Sequence, residues 1–168
     1  MNHRTFAPVA VILILLTLVV ACGKSEKTPA ASTTPIAELI QAGKPPVVVG
    51  SLFRGISPMP TFTMSLTNVS DCNVQSVMGT VLFFDKDDKF LPESKTDTGY
   101  SELASIKPGE KIELQTMTKD DNAVSGKWII KEVIYLKMNP VDKILGEIPY
   151  KWTNKNYEAE LAAATGTT

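Results

Sequence analysis

Histidine is almost missing from this sequence: the single one is His3, and none follows it. Imidazole is the commonest general base near neutral pH and the commonest protein ligand for zinc and iron. Its absence after residue 3 excludes Ser-His-Asp and Cys-His triads, and most zinc or iron sites, from the rest of the chain. Cysteine is nearly as scarce, with Cys22 and Cys72 alone. A charge excess of either sign is lacking too: 17 Lys and Arg stand against 18 Asp and Glu, a net charge of −1. The basic residues are scattered among the acidic ones and form no stripe, which argues against nucleic acid as a ligand and against a polybasic membrane patch. Long apolar runs are absent except for one near the amino terminus.

That run covers residues 9–21, behind Met1-Asn2-His3-Arg4. Crossing a hydrocarbon core as a helix takes about 20 apolar residues, so a shorter run ending in alanine before cysteine fits a cleaved secretory signal. The window Val19-Val20-Ala21-Cys22 resembles the lipobox of bacterial lipoproteins. The resemblance implies cleavage between Ala21 and Cys22, a diacylglyceryl group on the Cys22 thiol, and a new amino terminus at that residue. The membrane partner is then lipid, because two or more acyl chains hold far more firmly than one. Loss of residues 1–21 takes His3 and Arg4 away, leaving 16 basic against 18 acidic residues and a net charge of about −2. It also leaves Cys72 with no partner for an internal disulfide. Gly23 after the cysteine resembles outer-membrane sorting in enteric-type bacteria, so the expected place is the cell envelope, periplasmic or surface-facing.

Residues 22–44 read as the lipidated cysteine, a polar Pro-interrupted tether of roughly 20 Å reach, and a short helix. The helix is predicted from Thr34 as N-cap, Pro35 at its first position, Ile36, Leu39 and Ile40 as its apolar residues, and Gly43 as its stop. From residue 45 to 153 the pattern is that of strands. Residues 61–67 alternate, with Phe62, Met64 and Leu66 on one face and hydroxyl side chains on the other. Residues 74–85 carry apolar side chains on both faces, with Val77, Val81 and Phe83 on one and Val74, Met78, Leu82 and Phe84 on the other, so the segment reads as a central strand, buried on both sides or bent near Gly79. Further strands are expected at 47–53, near 99–103, at 112–116, 128–138 and 146–152. About seven strands with regular turn signals, and almost no helical period, predict an all-β fold: an antiparallel β-sandwich of immunoglobulin-like type. The tail, residues 154–168, has two readings: two helical turns from Asn156 onward, or a frayed end, given its closing Thr and Gly residues.

Val81-Leu82-Phe83-Phe84-Asp85, then Phe90-Leu91, Leu103 and Ile106-Lys107-Pro108-Gly109-Glu110, resemble the FxLYD-type and related immunoglobulin-like domains of bacterial surface lipoproteins. Asn68-Val69-Ser70 sits where such domains carry an Asn-x-Ser turn. The resemblance covers residues 47–138 and implies a fold, not a chemistry. Phe84 stands where a tyrosine is common, and no glycine follows Asp85.

Four constellations could serve as sites. Asp85, Asp87 and Asp88 share one turn and could offer oxygen ligands to Ca²⁺, but Phe90 and Thr96 stand where an EF-hand needs Gly and Glu. A solvated hairpin turn is the simpler reading, and no metal or other cofactor is expected. Cys72 lies between Asp71 and Asn73, where negative charge disfavours the thiolate. Asn68-Val69-Ser70 matches a glycosylation sequon by chance. Tyr150, Trp152 and Tyr157 could form an exposed patch that stacks on peptide or glycan, against the alternative of core or edge packing. The leading expectation is a non-catalytic, lipid-anchored interaction or accessory module, whose partner is an envelope protein or glycan. The alternatives are a solute or Ca²⁺ binder and, behind it, an enzyme using Ser with Lys or paired carboxylates.

Overall fold

The computed structural model of the chain describes residues 32–55, 59–138 and 146–167. The signal sequence, the Ala21 and Cys22 junction and the tether up to residue 31 lie outside the described residues. Strict alternation makes the first of the long strands: Phe62, Met64 and Leu66 are all buried, and Thr63 and Ser65 between them are half-buried. In chain order the strands are β1 (Val47–Val49), β2 (Phe53–Arg54), β3 (Thr61–Asn68), β4 (Asn73–Phe84), β5 (Thr96–Ile106), β6 (Lys111–Met117), β7 (Ser125–Met138) and β8 (Glu147–Thr153). They form two four-stranded antiparallel sheets packed together. In the first, β1 and β2 lie one after the other along one side of β3, and β6 lies along its other side; the second has the order β5-β4-β7-β8. Each β segment expected from the sequence has a strand, but the one expected over 47–53 is broken into β1 and β2. Between the two pieces Leu52 turns inward and is buried, close enough to Gly126 of β7 that a Cβ there would lie 2.8 Å from its Cδ2.

β4 is the central strand expected, flanked by β5 and β7. Its faces are not those simple alternation gives. The pairing with β7 shifts between Val74 and Ser76, so Val74 joins Val77, Val81 and Phe83 in the core instead of facing away from them. A bulge adds one residue and turns the period-2 pattern over. A second shift between Met78 and Gly79 does the same on β7, where Trp128, Ile130, Val133 and Tyr135 all reach the core. Gly79 sits at that shift for a steric reason. A Cβ there would stand 2.2 Å from the Ile129 carbonyl oxygen and 2.7 Å from the Trp128 indole nitrogen. The sheets meet through contacts such as Phe62 on Phe83, with ring centroids 4.9 Å apart.

Two helices complete the molecule. α1 (Ile36–Gln41) puts Ile36 and Leu39 into the main core, while Ile40 is exposed. Thr34 does not cap it as expected. Pro35 is the N-cap residue, and the carboxylate that accepts the first free N–H comes from far along the chain: Ile36 N donates to Asp71 Oδ1 at 2.8 Å. α2 (Tyr157–Thr165) covers the outer face of the second sheet, where Tyr157 and Leu161 pack with Leu82 and Ile129 and, at the margin, Phe84 and Phe90. It stops at Gly166, whose φ of 70° is the left-handed conformation that closes helices.

Antiparallel pairing gives the body two distinct ends. The registers Val47 to Asn68, Thr67 to Lys111, Val74 to Ile106 and Asn73 to Leu136 define one. The chain arrives at this amino-terminal pole, where Thr34 N donates to Val69 O at 2.7 Å. Thr61 to Met117, Val81 to Thr96 and Phe84 to Ser125 define the opposite, distal pole.

Candidate functional site

The distal pole gathers the connections at 85–95 and 118–124, together with Met59. Arg54 fastens the two sheets there, its guanidinium donating to the backbone oxygens of Ala123 at 2.8 Å and Asp121 at 3.2 Å. Thr118 N donates to Pro60 O at 3.1 Å, tying the second of these connections to the residue that precedes β3.

The acidic turn sits at this pole, and the carboxylates of Asp85 and Asp87 are engaged within it. Asp85 Oδ1 accepts from the N–H groups of Asp87 at 2.9 Å and Lys89 at 3.0 Å. The bond from Lys89, and then that from Asp87, hold the Asp85 carboxyl below the usual carboxylate range. Asp87 pairs with Lys86 at 3.0 Å, both exposed, and Asp88 takes the positive φ of 57° that lets the turn close. Asp85 and Asp87 face Asp121 and Asn122 across a cleft of about 340 Å³. Among the described residues no group of three His, Cys, Asp or Glu side chains is arranged to hold a metal ion.

A neighbouring cleft of about 420 Å³ runs between Met59 and Met117 on one side and Glu93, Ser94 and Thr96 on the other, with Lys119 at its rim. Met59 and Met117 are more than half exposed, whereas Ser94 is buried, its hydroxyl without a protein partner among the described residues. The pole thus combines polarizable apolar side chains with scattered charges of both signs.

The aromatic residues named from the sequence do not share a surface. Trp152 is 6 % exposed and belongs to the main core; Tyr157, the first residue of α2, is 9 % exposed and packs on the other side of the sheet. Tyr150, half-buried, stacks on Tyr135 with centroids 5.9 Å apart. Tyr157 has a different part: its hydroxyl meets Thr80 Oγ1, which in turn donates to Asp97, and Lys131 lies 5.6 Å from its ring centre.

Cys72, at the amino-terminal pole, is half-buried. Burial, followed by its hydrogen bond to Asp71, pushes the thiol up to about 11. Asn68, read from the sequence as a turn residue of a chance sequon, is fully buried and makes four bonds. Its Nδ2 donates to the carbonyls of Cys72 at 2.7 Å and Ile106 at 2.9 Å, and its Oδ1 accepts from Ser70 N at 3.0 Å and Ser70 Oγ at 2.8 Å. The alternation of β3 carries a signal for its burial, since Asn68 is the next position on the face of Phe62, Met64 and Leu66, whereas its partners Cys72 and Ile106 are set by the fold. No family model matches the chain, and no curated protein or solved structure matches it.

Proposed function

We propose that the chain is a lipid-anchored module of the bacterial cell envelope that works by non-catalytic binding to an envelope protein or glycan. The observation that carries this reading is the sequence Val19-Val20-Ala21-Cys22 at the end of a short apolar run. The lack of histidine after His3 supports the non-catalytic part. An immunoglobulin-like topology is part of the same reading. With β1 and β2 counted as one broken strand, the first, second and fifth strands share one sheet, while the third, sixth and seventh share the other with the fourth at its edge.

The two poles give the anchor a mechanical sense. A tether joined to Thr34 leaves from the amino-terminal pole, so the distal pole, with Met59, Met117 and its clefts, faces away from the membrane. Replacement of Cys22 by Ser tests the anchor. The expected result is loss of metabolic palmitate labelling, retention of the unprocessed size, and weaker membrane association. A Cys22→Ser protein processed and retained like the parent would sink the proposal. Photo-crosslinking groups placed at Met117 and at Lys107 test the orientation, with adducts expected from Met117 alone.

A further inference from the structure

Two methionines converge on one cleft of the distal pole. Met117, at the end of β6, faces Thr61 of β3, and Thr118 N donating to Pro60 O carries the pairing one residue further. Met59 precedes that bond, so it stands close to diagonal to Met117 across the two strands. Diagonal positions in an antiparallel pair lie about 7–8 Å apart, within reach of long side chains. Both methionines line the cleft of about 420 Å³, and they are 54 % and 56 % exposed. Each has three rotatable bonds and a polarizable sulfur, so both thioethers can turn onto one small ligand while the strands stay where they are. The other exposed methionines stand singly: Met78 faces Gly99 within the second sheet, and Met138 lies at the opposite pole, paired with Glu147.

The remaining side chains at the cleft narrow the ligand. Glu93 and Lys119 contribute one charge of each sign, and the buried Ser94 hydroxyl, without a partner among the described residues, is neutral. One carboxylate falls well short of the roughly six to eight oxygen ligands that Ca²⁺ takes. Neither imidazole nor thiolate, the usual donors to Zn²⁺, lines the cleft among the described residues. Two thioethers are soft donors, and soft donors select Cu(I). We propose that Met59 and Met117 together hold a soft monovalent cation, Cu(I), as a pair of neutral sulfur ligands at the distal pole. The site belongs to the folded body and does not depend on a lipid at Cys22.

Silver ion is the probe, since Ag(I) shares the charge and softness of Cu(I) and stays in one oxidation state. It is titrated into the full chain carrying Cys22→Ser and Cys72→Ser, so that no thiol competes, and the isotope-labelled methionine methyl groups are followed by NMR. The Met59 and Met117 signals are expected to shift together and to saturate at one ion per chain, while Met64, Met78 and Met138 stay in place. Met59→Leu and Met117→Leu keep an apolar side chain and remove the sulfur. Each is expected to weaken binding at the remaining methionine at least tenfold, at unchanged melting temperature. Cu(I) kept reduced by ascorbate is expected to give the same pattern, and millimolar Ca²⁺ none. Separate midpoints for Met59 and Met117, equal shifts at Met78 and Met138, or a Leu variant that leaves the other methionine's affinity unchanged would overturn the proposal.

Discussion

At the scale of single residues, the turn between β3 and β4 depends on one side chain. Asn68 satisfies two buried carbonyls and holds both the N–H and the hydroxyl of Ser70. Asn68→Ala leaves those groups unpaired away from water, and it is expected to cost about 3 kcal/mol in urea unfolding. Cys72 gives a pH prediction whose sign is set by its raised pKa. Above the ordinary thiol value of 9.0 the unfolded chain loses its proton while the folded chain keeps it up to about 11. The contribution of this group therefore falls as pH climbs between those values, and Cys72→Ser removes that part of the slope. The same shift makes the native thiol slow toward a disulfide reagent at pH 8, with unfolding in urea restoring ordinary rates. The residue scale is also where the sequence was least legible. Alternation puts Val74 on the wrong face because it cannot see a bulge, and Trp152 and Tyr157 are buried because β8 and α2 each turn one aromatic toward a different cluster.

At the scale of elements, periodicity carried most of the information. β3 follows its alternation residue by residue, and β4 shows its central position through apolar residues on both faces. The break between β1 and β2 was not legible, because it depends on Leu52 meeting Gly126 across the two sheets. The cap of α1 was hidden for a similar reason, since Asp71 is 35 residues away from the N–H it receives. α2 is a short helix that isolation would not sustain. It rests on two buried residues and on the Tyr157, Thr80 and Asp97 chain. Leu161→Ala is expected to cost about 2 kcal/mol, and Tyr157→Phe about 1 kcal/mol. Because the helix lies outside the sheets, both losses should appear as faster amide exchange in residues 157–165 before the strands are affected.

At the scale of the whole molecule, the two antiparallel sheets were legible from strand count and turn spacing, and the absence of a long helical period excluded the other classes. The strand order was not, because registers such as Asn73 with Leu136 join residues that no local pattern relates. The extent of the folded body is a further point. Ile36 and Leu39, ahead of the strand region expected to begin at Pro45, are part of the main core. A chain beginning at Pro45 is expected to lose about 3 kcal/mol and to melt roughly 10 °C lower than one beginning at Ser32, by circular dichroism.

The separation of the two poles has one more consequence. A pull applied between Thr34 and the distal loops runs nearly along the strand axes, so β3 and β4 are loaded in shear, and many ladder hydrogen bonds must yield together before the body extends. Loading across the strands would unzip them one at a time. A body strung in this direction resists being drawn out.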